Sequence, residues 1–212
     1  MKVKKKITGQ TVQGNSISVS LAILSAFLLC GIVAGAVTAS YIGGDSGETL
    51  TEYMSRYVTA FGQGENPLTL LPATIWSTYK YPLCAFLFGF TVLGVLLIPG
   101  TVVLRGFFLA FSVGSMVKLF GMPGLWLAFS IFGIQTFIGL PCLLIISAQG
   151  FVAARSFARM MSGGKRVMIG SVFPRGYFVL FSVCMIALLV VVLLELFVTP
   201  KLVAFVALRM LQ

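Results

Sequence analysis

The sequence predicts an all-α, polytopic integral membrane protein. It reads as one helical bundle of five transmembrane helices, N-terminus inside and C-terminus outside, with short amphipathic extracytoplasmic helices. Three observations carry that reading. Of the 212 residues, 58% are apolar and 9% are charged, against about 25% charged in a soluble domain. Five stretches reach or approach the roughly 20 apolar residues that cross a hydrocarbon core at 1.5 Å rise each. They are continuously apolar rather than alternating, which is the pattern of helices and not of a barrel.

The first span is placed at 19–42. It follows Lys2, Lys4, Lys5 and Lys6, and Ala34-Gly35-Ala36 resembles a signal cleavage site. Its apolar run, about 24 residues against roughly 7 to 15 in a signal peptide, reads as a retained span. The second span is placed at 81–98, the third at 101–119, the fourth at 125–150 and the fifth at 177–198. Pro99-Gly100 marks the turn between the second and third, and Pro141 is expected to kink the fourth. The whole chain, 1–212, is a single membrane domain. No loop is long enough for a soluble catalytic domain.

The extracytoplasmic loop 43–80 is more than a linker. Leu50, Tyr53, Met54, Tyr57, Val58 and Phe61 fall on one face at helical spacing. Thr49 and Glu52 make a capping box before them, and Gly62 and Gly64 suit the end. A second short helix follows Asn66-Pro67, with Leu71, Ile75, Trp76 and Tyr79 on one side. Trp76, Tyr79 and Tyr81 suit an interfacial aromatic belt. These helices either lie on the bilayer or dock an extracytoplasmic partner. In the second reading Leu50, Tyr53, Met54, Tyr57, Val58, Phe61 and Trp76 are the partner-binding residues. The stretch 201–212 reads as another interfacial helix.

Orientation follows the basic residues. With the N-terminus inside, Lys2, Lys4, Lys5, Lys6, Arg105, Arg155, Arg159, Lys165, Arg166 and Arg175 face inward. Arg56, Lys80, Lys118, Lys201 and Arg209 face outward, which completes the 15 Lys and Arg. The net charge of +10 is then a topology signal, and nucleic acid is not an expected partner.

With no His in the chain, a Ser-His-Asp site, a Cys-His site and a His-ligated zinc are excluded. An aspartyl site needs paired acids within the spans, and Glu195 stands there alone. No catalytic, cofactor or metal site is expected. Cys30, Cys84, Cys142 and Cys184 each sit in an apolar run without a CxxC pair and read as packing residues. Gly31 and Gly35 form a GxxxG. Together with Gly89, Gly94, Gly106 and Gly114 they give small-residue faces for close helix packing or for a homo-oligomer interface. Arg105, one turn into the third span, is assigned to the inner surface or to pinning the preceding turn. Gln135 and Thr136 are expected to hydrogen-bond between helices.

The stretch Phe86-Leu87-Phe88-Gly89-Phe90-Thr91-Val92-Leu93-Gly94-Val95 leads to Ile98-Pro99. Leu104-Arg105-Gly106-Phe107-Phe108-Leu109-Ala110-Phe111-Ser112-Val113-Gly114 follows, then Phe120-Gly121-Met122-Pro123-Gly124-Leu125. With the basic N-terminus, five spans and an outer loop after the first, this resembles the stage II sporulation protein M family of endospore-forming bacteria. One departure stands out: Ile134-Gln135-Thr136 replaces the Gln-Asn pair expected after a Pro in the fourth span. The resemblance implies a multi-pass protein of the mother-cell membrane at the sporulation septum, needed for forespore engulfment. It implies a non-enzymatic scaffold that recruits and anchors two cell-wall hydrolases, stage II sporulation proteins P and D. The alternative is a membrane subunit of a small transporter, with the basic inner loop from Arg155 to Arg175 docking a cytoplasmic ATPase.

Overall fold

The computed structural model describes residues 2–41, 67–161 and 175–210, and every regular element among them is an α-helix. There are four: α1 (Lys2–Tyr41), α2 (Pro67–Phe88), α3 (Gly94–Met161) and α4 (Arg175–Met210). Four stretches within them are long and apolar enough to cross a membrane: Ile17–Tyr41, Gly94–Lys118, Gln135–Met161 and Gly176–Phe197.

α3 folds back on itself at Gly121, whose φ of 65° and ψ of −145° lie in a region that essentially only glycine enters. Past that point the chain returns antiparallel. Met116 packs with Ala128 and Ile131 near the reversal. At the other end Gly94 faces Ala154, and Ile98 faces Gly150.

α1 lies along the first half of α3, and the two run parallel. Gly31 meets the backbone of Val103, Gly35 that of Phe107, and Ala39 meets Gly114. Beyond them Lys118 Nζ donates to the Ser40 carbonyl. The buried residues Ser20, Leu24, Leu28, Gly31, Gly35 and Ala39 recur every three or four positions, one stripe of the helix. Across the helix from that stripe Leu29, Val33 and Val37 are exposed, as suits a face turned to lipid.

α2 and α4 close the bundle on the second half of α3. The Tyr79 hydroxyl donates to the Met185 carbonyl at 3.0 Å. Phe86 stacks on Phe181 with ring centroids 3.8 Å apart and on Tyr177 at 5.4 Å. α2 therefore runs antiparallel to α4. Thr78 pairs with Gln135, and Ala85 lies against Gly150, so α2 runs parallel to the second half of α3. α1, the first half of α3 and α4 thus point one way, and the other two segments point back.

The boundaries differ from the sequence reading in four places, one being the fourth span, placed at 125–150 and found at Gln135–Met161. The turn expected at Pro99-Gly100 lies at 89–93, where Thr91 N–H bonds the Phe88 carbonyl and Gly94 N–H bonds that of Thr91. A Cβ on Gly89 would sit 2.9 Å from the Gly150 Cα, and one on Gly94 would strike the Phe88 carbonyl, so these glycines fix the turn. Pro99 is accommodated within the opening turns of the next helix. The stretch 81–98 is therefore not one helix. Its first part continues the short helix expected after Asn66-Pro67, and both belong to α2. Finally, α4 continues through Pro200 into the predicted interfacial segment.

Candidate functional site: a polar layer inside the bundle

Several helices carry polar side chains toward the interior of the bundle. On α2 the positions Thr78, Pro82 and Ala85 are buried, as is Gly89 just past its end, one face at helical spacing. Pro82 has no N–H to give the Thr78 carbonyl. Thr78, 5% exposed, accepts a 3.0 Å hydrogen bond from Gln135 Nε2. Gln135, equally buried, thus reaches across from the second half of α3. A buried amide without such a partner would be destabilising by about 1–3 kcal/mol.

Tyr81 is the centre of the layer. The Arg105 guanidinium carbon lies 5.3 Å from its ring centroid, and Lys80 Nζ lies 5.0 Å from it. Two cations from different helices thus share one aromatic ring, each such contact being worth about 0.5–2 kcal/mol. Arg105 stands near the middle of the 25-residue stretch Gly94–Lys118, about 17 Å from its start at 1.5 Å rise per residue. It is far from the turn at 89–93. Glu195 on α4 is close enough for its charge to act on Arg105. Its Oε2 is buried and has no hydrogen-bond partner among the described residues. Arg105 thus stands where a charge is expensive and commonly functional, whereas Glu195 lies two residues from the end of the stretch Gly176–Phe197.

The other predicted residues fall as follows. Leu50, Tyr53, Met54, Tyr57, Val58 and Phe61 lie outside the described residues. Trp76 is on α2, 68% exposed, beside the exposed Ile75. Gly31, Gly35, Gly106 and Gly114 all lie where α1 meets α3. Gly89 and Gly94 flank the turn against α3 and Tyr177. Cys142 and Cys184 are buried against each other in one core cluster, Cys84 is half-buried, and Cys30 is exposed. Among the described residues no group of His, Cys, Asp and Glu could hold a metal ion.

Lys80 and Tyr81 are absent from the sequence-level site because α2 is cut there into a loop and a span. The spacing of Thr78, Pro82 and Ala85 on one face is the signal that joins them to one helix.

The family model of stage II sporulation protein M matches residues 24–200, which takes in α2, α3 and the whole polar layer. Among curated proteins and among solved structures, nothing matches the chain.

Proposed function

The chain belongs to the stage II sporulation protein M family, and from that premise we propose a non-enzymatic membrane scaffold that recruits and anchors peptidoglycan hydrolases. Its place is the mother-cell membrane at the sporulation septum, during forespore engulfment. Family membership supports a sporulation-related membrane protein. The finer reading rests on topology.

The observation that carries it is the parallel run of α1 and the first half of α3. Two parallel crossings need an odd number of crossings between them, and α2, running the other way, supplies one. With α2 as that crossing the protein would cross five times, although α2 is not among the four long apolar stretches. The excess of Lys and Arg on one side puts the N-terminus inside. The segment 42–66 then faces outward, on the side of peptidoglycan, and 162–174 faces the cytoplasm. Tethering hydrolases in the membrane plane raises their effective concentration at the septum. Neither the fold nor the family match adds weight to a transporter subunit.

A crosslinked pull-down from membranes of sporulating cells tests this reading. Recovery of an amidase or a lytic transglycosylase is expected, and Tyr53→Ser, Tyr57→Ser and Phe61→Ser together should reduce it while the protein still inserts. Recovery of an ATPase with no wall hydrolase would overturn it.

A further inference from the structure

Two of the four cysteines in the chain meet inside the bundle. Cys142 on the second half of α3 and Cys184 on α4 are 9% and 5% exposed. They share one core cluster, and their thiols are in hydrogen-bonding contact. The backbones set that meeting. α4 lies against Gly139, where a Cβ would stand 3.9 Å from Leu188 Cδ2. The two segments run antiparallel, so one turn forward from Gly139 reaches Cys142 and one turn back from Leu188 reaches Cys184. Residues three or four apart share a helix face, which brings both sulfurs into one seam at one level. Cys30 and Cys84 are not members of that cluster.

The pair lies well inside the spans. At 1.5 Å rise per residue, Cys142 is about 10 Å past Gln135 and Cys184 about 12 Å past Gly176, the starts of their membrane-spanning stretches. Both are farther still from the other ends. Ala85, Leu143, Ile146 and Leu188 surround them. Their chain neighbours Pro141 and Val183 are exposed, so lipid comes within one residue of the pair. Exchange with a water-borne disulfide needs a thiolate and access to its sulfur, and hydrocarbon does not sustain an unpaired charge. An oxidant for this pair has to dissolve in the bilayer and take the protons together with the electrons. Lipid-soluble quinones meet both conditions.

We infer that Cys142 and Cys184 are a redox pair that closes to a disulfide between α3 and α4, with a lipid-soluble quinone as the oxidant. Two S–H bonds break and one S–S bond forms. The two protons and two electrons pass to the quinone, which becomes the hydroquinone, and no charge is left in the hydrocarbon. The sulfurs close from contact to about 2.05 Å. The bond ties together the two helices that flank the segment 162–174, and reduction releases them. Nothing in this step depends on hydrolase recruitment or on the segment 42–66.

The test uses the full-length protein in its native membranes, without oxygen. The membranes receive a decyl benzoquinone with every ring position substituted, so that thiols cannot add to the ring. Free thiols are then titrated in denaturant with a maleimide polymer, and the peptides are mapped by mass spectrometry. The four free thiols should fall to two, with a Cys142–Cys184 crosslinked peptide that dithiothreitol removes. Oxidised glutathione should leave all four free. Cys30→Ser with Cys84→Ser should keep the crosslink, and Cys142→Ser should abolish it with the other three thiols still free. Four free thiols after the quinone, pairing through Cys30 or Cys84, or an equal crosslink yield with oxidised glutathione would overturn the proposal. The decisive crosslink is read in the unaltered chain, so a variant that misfolds does not change the outcome.

Discussion

Two seams hold this bundle, and they are built on opposite principles. Where α1 meets α3, the contact is made by backbones: Gly31 and Gly35 admit the main chain of Val103 and Phe107, and Gly106 admits that of Leu28 and Ile32. Where α2 meets α3 and α4, side chains reach across instead, through Tyr79 to Met185, Gln135 to Thr78, and the Phe86, Phe181 and Tyr177 stack. Lipid is as apolar as leucine, so association in a bilayer draws on close packing and interhelical hydrogen bonds. The first seam uses packing and tolerates no added atoms. The second adds hydrogen bonds to packing and tolerates loss of a single group. Its charged group, Arg105 against Tyr81, lies within the seam, whereas the charge on the first seam is Lys118, exposed at its end on the Ser40 carbonyl.

The sharpest way to break this contrast is at Gly35. Gly35→Ile puts a branched side chain against the Phe107 carbonyl, and the expected loss is about 3 kcal/mol or more, read as detachment of α1 by crosslinking between α1 and α3. Gly121→Ala comes next. It forces a side chain into the region that glycine alone enters, for about 1–3 kcal/mol, measured by reversible unfolding in bicelles. On the other seam, Gln135→Leu and Tyr79→Phe should each lower stability by only about 0.6–1.7 kcal/mol in the same assay. Gly100→Ala is the comparison's lower end. Nothing lies within 4 Å of a Cβ there, so the change should be neutral or stabilising by about 0.5–1 kcal/mol through helix propensity. A loss at Gly100 as large as at Gly35 would mean that helix chemistry in general, and not the seam, sets the cost.

Much of the fold is readable from the residues themselves. Long apolar runs reveal the helices because hydropathy responds directly to the bilayer. The spacing of Gly31 and Gly35 reveals a close approach because only small residues permit one. The reading goes astray where two signals compete. Pro99-Gly100 resembles a turn, yet a proline in the opening turns of a helix is compatible with it, and Gly89 and Gly94 are needed elsewhere for clearance. That clearance depends on Gly150, Ala154 and Tyr177, which are distant in sequence. The polar layer is hidden for a related reason. Lys80 and Tyr81 look interfacial until α2 is seen as one helix, and the pairing of Arg105 with Tyr81 joins residues from two helices that no local pattern connects.

The most direct test of the account is the side of the membrane on which 42–66 and 162–174 lie. With the four native cysteines changed to Ala, Thr51→Cys and Ser171→Cys can each be probed in intact cells with a membrane-impermeant thiol reagent. Labelling at Thr51→Cys, with Ser171→Cys labelled only after permeabilisation, is the result that five crossings and an outward scaffold predict. Labelling of both positions in intact cells would contradict five crossings, and the reverse pattern would place the proposed docking segment away from the wall.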